Sequence, residues 1–365
     1  MANVTEFEGW GAFDNDSIKG QLKRFSFTPK TWEETDVDIK VLYCGVCASD
    51  VSLMSSAWFE QDFPTVCGHE VVGEVIRVGS KVKHLKVGDI AGVGAQAESC
   101  LKCDECLAGE EVYCVNGHTP SCGAKYVYGP AKGEKTSGGF ADTKRSPAHF
   151  AFKIPDGLDP AMAAPMLCGG ITMYSPLAQY GAGTKAKNVG IIGIGGLGHF
   201  GILLAKAMGA TVTAISHSEN KKADALEMGA DHFIATHEAA EEAFAPHKRS
   251  LDLIICTVND ASMPLTGYLS LLKRNGNLIL VGVPHEPLPV PVFPLIGGNV
   301  HIGGSAIGNA REINEMFKLV AEKGVKPWIN KRPMDDINSV IPDMVANKAR
   351  YRLVLCHEAN GAKLD

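Results

Sequence analysis

The chain has no apolar run approaching the roughly 20 residues of a membrane-spanning helix. Its first residues, MANVTEFEGWG, are acidic and polar and carry no apolar core segment, so a signal peptide is not expected. It also lacks a basic excess. The 35 Lys and Arg stand against 41 Asp and Glu, giving a formal net charge of −6 and a pI of about 6.1. A surface that binds phosphate backbones should be basic, so nucleic acid is excluded as the expected partner. Internal repeats, low-complexity tracts and long charge runs are missing, which argues against solenoid and disordered architectures. The 11 cysteines are odd in number, and several sit at metal-like spacing, so a disulfide scaffold is not expected. These absences leave a soluble, cytoplasmic protein of 365 residues, long enough for two or three domains.

What is present begins with four of those cysteines. Cys100, Cys103, Cys106 and Cys114 follow a C-x2-C-x2-C-x7-C pattern in SCLKCDECLAGEEVYC. Thiolates at such spacing close on one tetrahedral zinc at metal–sulfur distances of about 2.3 Å. Four ligands leave no open position, so this zinc is expected to be structural. The segment LKCDECLAGEEVYC carries four acids and one lysine, which again speaks against a nucleic-acid finger.

The texture of the chain changes near residue 156. Before it, Val37, Ile39, Val41 and Tyr43 alternate with polar residues, as on a half-buried strand, and EVVGEVIRVG and KVGDIAGVGA read as further strands. After it, strand candidates Val189–Ile194, Thr211–Ser216, His232–Thr236, Leu251–Thr257, Asn277–Val283 and His301–Ser305 are separated by helical stretches such as Leu197–Met208 and Met263–Leu272. This alternation predicts an α/β fold with a doubly wound parallel sheet. The tail adds a helical stretch, Arg311–Lys323, and a short α/β segment.

The strand VGIIGI runs into Gly193-x-Gly195-Gly196-Leu197-Gly198 and then a helix. Strand, glycine turn and helix are the context of a dinucleotide site, where backbone N–H groups and the helix N-terminus meet the pyrophosphate. An NAD site usually places an acid at the end of the next strand, to hold the ribose 2'-OH. Here that strand ends in Ser216-His217-Ser218, with Lys221 and Lys222 following. Hydroxyls and cations suit a 2'-phosphate, so NADP(H) is expected. Ser218 reads as a helix N-cap, with Glu219 in the first turn.

Three more candidate ligands are dispersed: Cys47 in CGVCASD, His69 in CGHEVVG and Cys168 in MLCGG. Spacing alone does not join residues this far apart, and each taken singly reads equally as a buried small residue or a satisfied histidine. Taken in order, however, CGVCASD, GHEVVGEV, the four-cysteine pattern, APMLCGGIT and GIGGLGH resemble the zinc-dependent medium-chain dehydrogenase/reductase family. The likeness is strongest to its cinnamyl alcohol dehydrogenase branch, including fungal NADP-dependent broad-specificity members, and extends from about Gly9 to Leu355.

The resemblance implies a GroES-like β-rich catalytic domain over 1–156, completed by 307–365, around a Rossmann NADP-binding domain over 157–306. It implies a catalytic zinc on Cys47, His69 and Cys168, with Glu70 able to approach it, and Asp50 orienting His69. Ser49 resembles the family's proton-relay residue, and Thr172 a residue beside the nicotinamide. The implied activity is NADPH-linked interconversion of aldehydes and primary alcohols, in a homodimer joined through the nucleotide domains. Cys44, Cys67, Cys122, Cys256 and Cys356 are read as packing residues. The family usually has histidine where this chain has Ser52, and serine does not titrate near neutral pH. This departure keeps a second reading open, reduction of a conjugated C=C bond. A cofactor-binding protein without chemistry is a third, opposed by the joint presence of Cys47, Ser49, His69, Glu70 and Cys168. Trp58 and Phe59 are candidates for an aromatic-tolerant pocket, or ordinary aromatics of surface or core.

Overall fold

The computed structural model describes residues 5–236, 240–284 and 286–365. They form two compact units. One takes the chain up to Cys168, together with Asn309–Ala321 and Trp328–Asp365; the other holds Gly169–Gly308 and Glu322–Pro327. The chain thus leaves the first unit after Cys168, twelve residues later than the expected bound at 156, and returns to it at Asn309.

The first unit is built on an antiparallel-rich sheet. Its order runs Ile329–Pro333, Arg352–Cys356, Asp36–Val46, Glu70–Val78, Ile90–Val93, Ala151–Lys153, and Thr143–Pro147 also pairs with Asp36–Val46. The alternation around Val37, Ile39 and Val41 has its expected consequence, since all three are fully buried. Their faces pack with Val71, Val75, Leu353 and Leu355 and with Ile337, Val340 and Ile341 of the helix Ile337–Val345. Burial at roughly 25 cal/mol per Å² of apolar surface makes such a core the main source of the unit's stability.

A second consequence of this sheet positions the site. Asp36–Val46 and Glu70–Val78 are antiparallel, with Gly45 opposite Glu70. Cys47 therefore follows the end of one strand just where His69 precedes the start of its neighbour. Lys144, on Thr143–Pro147 of the same sheet, stands opposite Ile39, is buried, and donates to the carbonyls of Ser121, at 2.9 Å, and Ser137.

The second unit is a six-stranded, wholly parallel sheet in the order His232–Ala235, Thr211–Ser216, Asn188–Ile192, Leu251–Cys256, Leu272–Leu280, His301–Gly304. Its central strands, Asn188–Ile192 and Leu251–Cys256, are mostly apolar and buried, as strands covered on both faces are. The strand expected over Asn277–Val283 begins earlier, at Leu272, because Leu272 pairs with Leu251 before a register shift brings Asn277 opposite Leu253. The helix expected over Met263–Leu272 is correspondingly short, Leu265–Ser270, with Pro264 at its N-cap. The tail helix forms over Ala310–Lys323. Among the described residues no helix is long and apolar enough to cross a membrane.

Candidate functional site: two cysteine sets and a glycine turn

Cys47 is the N-cap of the helix Ala48–Met54, and Asp50 is its third helical residue. The Asp50 carboxylate reaches back to accept the N–H of Cys47 at 3.0 Å, closing a capping box. Its other oxygen accepts the Gly68 N–H at 2.8 Å and meets His69 Nδ1 at 2.8 Å. Asp50 is completely buried. A carboxylate so placed holds a proton on Nδ1 and leaves Nε2 as the free lone pair of the imidazole.

That lone pair does not face solvent. His69 is buried, and its Nε2 has no hydrogen-bond partner. The ligand atoms of Cys47, His69, Glu70 and Cys168 lie within 4.8 Å of one another, and all four residues are buried. Cys168 arrives from a different element, the short π-helical turn Met166–Gly170 that follows the helix Pro160–Pro165. Single π turns recur at functional sites because they re-aim a side chain within a helix. Ser49, half-buried on the first turn of its helix, places Oγ 3.6 Å from Cys47 Sγ.

The electrostatics of this set call for a cation. The thiol proton of Cys168 is donated toward Cys47, which holds Cys47 well below the ordinary thiol range and pushes Cys168 well above it. Burial pushes the Glu70 carboxyl up to about 7, against the pull of Arg352. For His69, burial favours the neutral ring, but Asp50 and Cys168 outweigh it and hold its pKa well above the ordinary value. Two thiols, a carboxylate and an unpartnered imidazole nitrogen, sealed from water, form a donor set of the kind that binds zinc. Arg352 pairs with Glu70 Oε1, while Glu70 Oε2 has no partner. Sequence reasoning passed over Arg352, although a cation opening the apolar strand RLVLC was a visible signal.

Cys122, read from sequence as a packing residue, is buried beside Asp50 and His69, with its sulfur within 4.8 Å of their ligand atoms. Cys44, Cys67, Cys256 and Cys356 are fully buried free thiols.

The second set is local. Cys100, Cys103, Cys106 and Cys114 bring their sulfurs within 4.8 Å of one another, with Cys100 to Cys106 and Cys103 to Cys114 each at 3.9 Å. Leu101 adopts a left-handed conformation, φ 52°, which folds the chain back over Cys100. The N–H groups of Lys102 and Cys103 and the side-chain amide of Asn116 donate to Cys100 Sγ and bring its pKa down to about 6. The Cys106 N–H lowers Cys103, whereas burial pushes Cys106 up to about 12. Donors aimed at sulfur suit thiolate ligands, and four sulfurs make a closed tetrahedral set.

The third feature lies in the parallel sheet. Gly193 has φ 84°, and a Cβ at Gly198 would overlap the Gly193 carbonyl, so the turn into the helix Gly198–Ala207 needs glycine at both positions. A cavity of about 700 Å³ opens there, lined among others by Gly193, Gly195, Ser216, His217, Lys221 and Thr257. A Cβ at Gly195 would meet open space, as a backbone cradle for phosphate requires. Gly196 and Leu197 continue the turn, and Thr172 is buried in the helix Ile171–Gln179. Ser218 does stand at an N-cap, of the turn Glu219–Lys221, but its side chain makes no capping bond. Glu219 pairs with Lys222 at 2.9 Å. Lys221 Nζ donates to the Ile194 carbonyl at 2.6 Å, which draws it across the cavity wall. Thr257, read from sequence only as the end of a strand, sets its hydroxyl 2.9 Å from the Ile192 carbonyl and 3.0 Å from that of Gly193, bracing the turn from the neighbouring strand. Trp58 and Phe59 are partly exposed, at 37% and 67%.

Comparison with known proteins agrees with this assembly. Residues 33–156 match the alcohol dehydrogenase GroES-like domain, and residues 196–322 match the zinc-binding dehydrogenase domain. The chain is similar to 8-hydroxygeraniol dehydrogenase of Catharanthus roseus, 43% identical over 348 residues, covering 95% of this chain and 94% of that protein. Among solved structures it resembles a cinnamyl alcohol dehydrogenase of Sorghum bicolor, with a TM-score of 0.90, 37% identity and 99% of each chain covered. It also resembles the Helicobacter pylori cinnamyl alcohol dehydrogenase complexed with NADP(H), with a TM-score of 0.86, 32% identity and coverage of 98% of this chain and 99% of that one. Five ordered motifs, a GroES-like unit and a parallel dinucleotide-type sheet thus converge, and the chain belongs to the zinc-binding alcohol dehydrogenase family.

Proposed function

We propose that this chain is an NADPH-linked aldehyde reductase and alcohol dehydrogenase with two zinc ions, one catalytic and one structural. The observation that carries the reading is the buried set Cys47, His69 and Cys168, with a carboxylate behind the imidazole and a hydroxyl 3.6 Å from the first thiol. Bound there, zinc supplies Lewis acidity toward a carbonyl oxygen, and the nicotinamide supplies the hydride.

The chain's own residues do the rest. Asp50 bonds His69 Nδ1, so Nε2 is the ring nitrogen turned to the ligand set, and it gives up any proton of its own when a metal binds. Ser49 Oγ, 3.6 Å from Cys47 Sγ, serves as the proton donor to the oxygen that takes up charge. Ser52 cannot titrate near neutral pH, so the proton reaching Ser49 comes from water or the cofactor ribose. On the nucleotide side, Gly193, Gly195, Gly196, Leu197 and Gly198 receive the pyrophosphate. Ser216, His217, Ser218 and Lys221, with no acid at the strand end, would hold the 2'-phosphate, and Thr172 would stand by the nicotinamide. The four cysteines of the knot hold the structural zinc.

The partner besides the small aldehyde or alcohol is a second copy of the chain. The helix Val292–Gly298 exposes Val292, Phe293 and Ile296 at 60%, 90% and 77%, directly before the edge strand His301–Gly304. An apolar patch beside an open sheet edge favours self-association. We place the enzyme in the cytoplasm.

The test is an NADPH oxidation screen across aldehydes, with product identification from cinnamaldehyde. Cinnamyl alcohol is expected; the saturated aldehyde would instead establish reduction of the C=C bond. A charge-assisted contact to phosphate contributes about 1.5–3 kcal/mol, so NADPH should exceed NADH by more than about tenfold in kcat/KM. Ser49→Ala should lower kcat for aldehyde reduction by about 10²-fold.

A further inference from the structure

Residues directly opposite in an antiparallel pair project to the same face of the sheet. Gly45 stands opposite Glu70. A Cβ at Gly45 would overlap Glu70 Oε2 and would lie 2.9 Å from Cδ and 3.0 Å from Cβ of the same side chain. No other residue supplies the three nearest atoms. The φ of Gly45 is not in the left-handed region, so alanine is compatible with the backbone there. What glycine provides at this position is space for one carboxylate.

The other side of that carboxylate is held by Arg352, whose Nη2 pairs with Oε1. Arg352 comes from the strand Arg352–Cys356, which pairs with Asp36–Val46 along the edge opposite to Glu70–Val78. Both members of the pair are buried, at 3% and 0% exposure. Oε2, the oxygen lodged over Gly45, has no hydrogen-bond partner. Glu70 nonetheless belongs to the group whose ligand atoms lie within 4.8 Å of one another. The carboxylate is therefore within reach of the ligand set but is kept by a cation on one side and a vacancy of side chain on the other.

We propose that Gly45 and Arg352 are positioning residues that together form a docking place for the Glu70 carboxylate, withholding it from the metal held by Cys47, His69 and Cys168. They thereby set how readily an external oxygen or nitrogen ligand takes the remaining coordination position. Adding a methyl group at Gly45 fills the docking place and turns the carboxylate onto the metal as an internal competitor. An internal competitor lowers the apparent affinity for an external ligand by the fraction of metal it leaves open.

The inference rests on the metal reading given above, and the experiment separates the two. Cobalt(II) replaces zinc at the catalytic position, and imidazole is titrated while the cobalt absorption bands are followed. Cobalt content is measured on the same samples. Gly45→Ala is expected to retain cobalt and to bind imidazole more weakly by about tenfold or more, the population effect of an occupied site. The Gly45→Ala/Glu70→Gln double variant should recover binding close to that of the wild type. Arg352→Lys, which keeps the charge but loses the guanidinium fork, should weaken imidazole in the same direction, and it carries the test if Gly45→Ala fails to fold. Imidazole affinity equal to wild type in cobalt-loaded Gly45→Ala, or a weakening that Glu70→Gln does not reverse, overturns the proposal. Failure of the wild type to take up cobalt at this position overturns the metal reading instead.

Discussion

The two cysteine sets of this protein solve one chemical problem in opposite ways. The knot takes its four sulfurs from fifteen consecutive residues, Cys100 to Cys114, on a surface loop whose Leu101, Leu107 and Val115 are exposed. The other set takes Cys47, His69 and Cys168 from separate elements and seals them from solvent. The knot is organised by its own backbone, through N–H groups pointed at sulfur. The buried set is organised by strand register, through the pairing of Gly45 with Glu70, and by an outer carboxylate, Asp50. A local set with four ligands closes and stabilises; a dispersed set with three leaves a position to be used.

The sharpest way to break this contrast is to remove one sulfur from each set. Cys47→Ser should reduce aldehyde reduction by on the order of 10³-fold or more, since Lewis acidity supplies several kcal/mol of transition-state stabilisation and each 1.36 kcal/mol is tenfold. Metal analysis should show one zinc per chain in place of two, with the circular dichroism unchanged. A variant that keeps both zinc ions and full turnover would erase the distinction.

Asp50→Asn tests the outer layer of the buried set alone. An amide still bonds His69 but no longer enforces the proton on Nδ1, and losses of about 10- to 100-fold in metal affinity are usual for such partners. Competition with a chelator should show faster release of one zinc only, the one outside the knot.

Cys103→Ser should act on stability first. The knot ought to lose its zinc and the melting temperature should fall, while the kcat of the molecules still folded at low temperature stays within about twofold, as expected when stability and chemistry draw on separate interactions. Loss of kcat by the same factor as in Cys47→Ser would show that the two sets are not independent.

The smallest effect concerns Lys144. Burial pushes its pKa from the ordinary 10.5 down to about 8. Between these values the unfolded chain holds more of this proton than the folded one, so Lys144 makes stability rise with pH across that window and contributes a constant penalty below it. In Lys144→Met, urea midpoints measured from pH 7.5 to 10.5 should rise less steeply than in the wild type. An unchanged slope would show that the buried ammonium does not titrate in this range.

The same contrast explains what could be read from the chain before its structure. The knot and the Gly193–Gly198 turn were legible because their residues are neighbours in sequence, and spacing carries their chemistry. The six parallel strands were legible as apolar runs, but the start of Leu272–Leu280 was not, since a register shift against Leu251–Cys256 has no periodic signature. Cys47, His69 and Cys168 became a set only through family resemblance, because no local pattern encodes which strands pair. What Arg352 and Gly45 do stayed hidden for the same reason: it is a property of the Glu70 carboxylate across the ladder, 282 and 25 positions away respectively. Thr257 acts on Gly193 from a neighbouring strand and was equally out of view.

The pairing of Gly45 with Glu70 also divides the chain between what must stay fixed and what is free to drift. Both ends of the segment from Cys47 to His69 are pinned, one by the capping box and the ladder, the other by Asp50 and the start of Glu70–Val78. The stretch from Ser55 to Phe63, with exposed Trp58 and Phe59 at its centre, lies between those anchors, tied to the rest of its unit through Ser56 and Asp62, and contributes none of the four ligand atoms. Residues can be inserted, deleted or exchanged there at little risk to the metal-facing groups, whereas a slip of a single position in the ladder would turn Glu70 to the opposite face of the sheet. Sequence change can therefore accumulate in this loop while the metal-facing groups stay as they are.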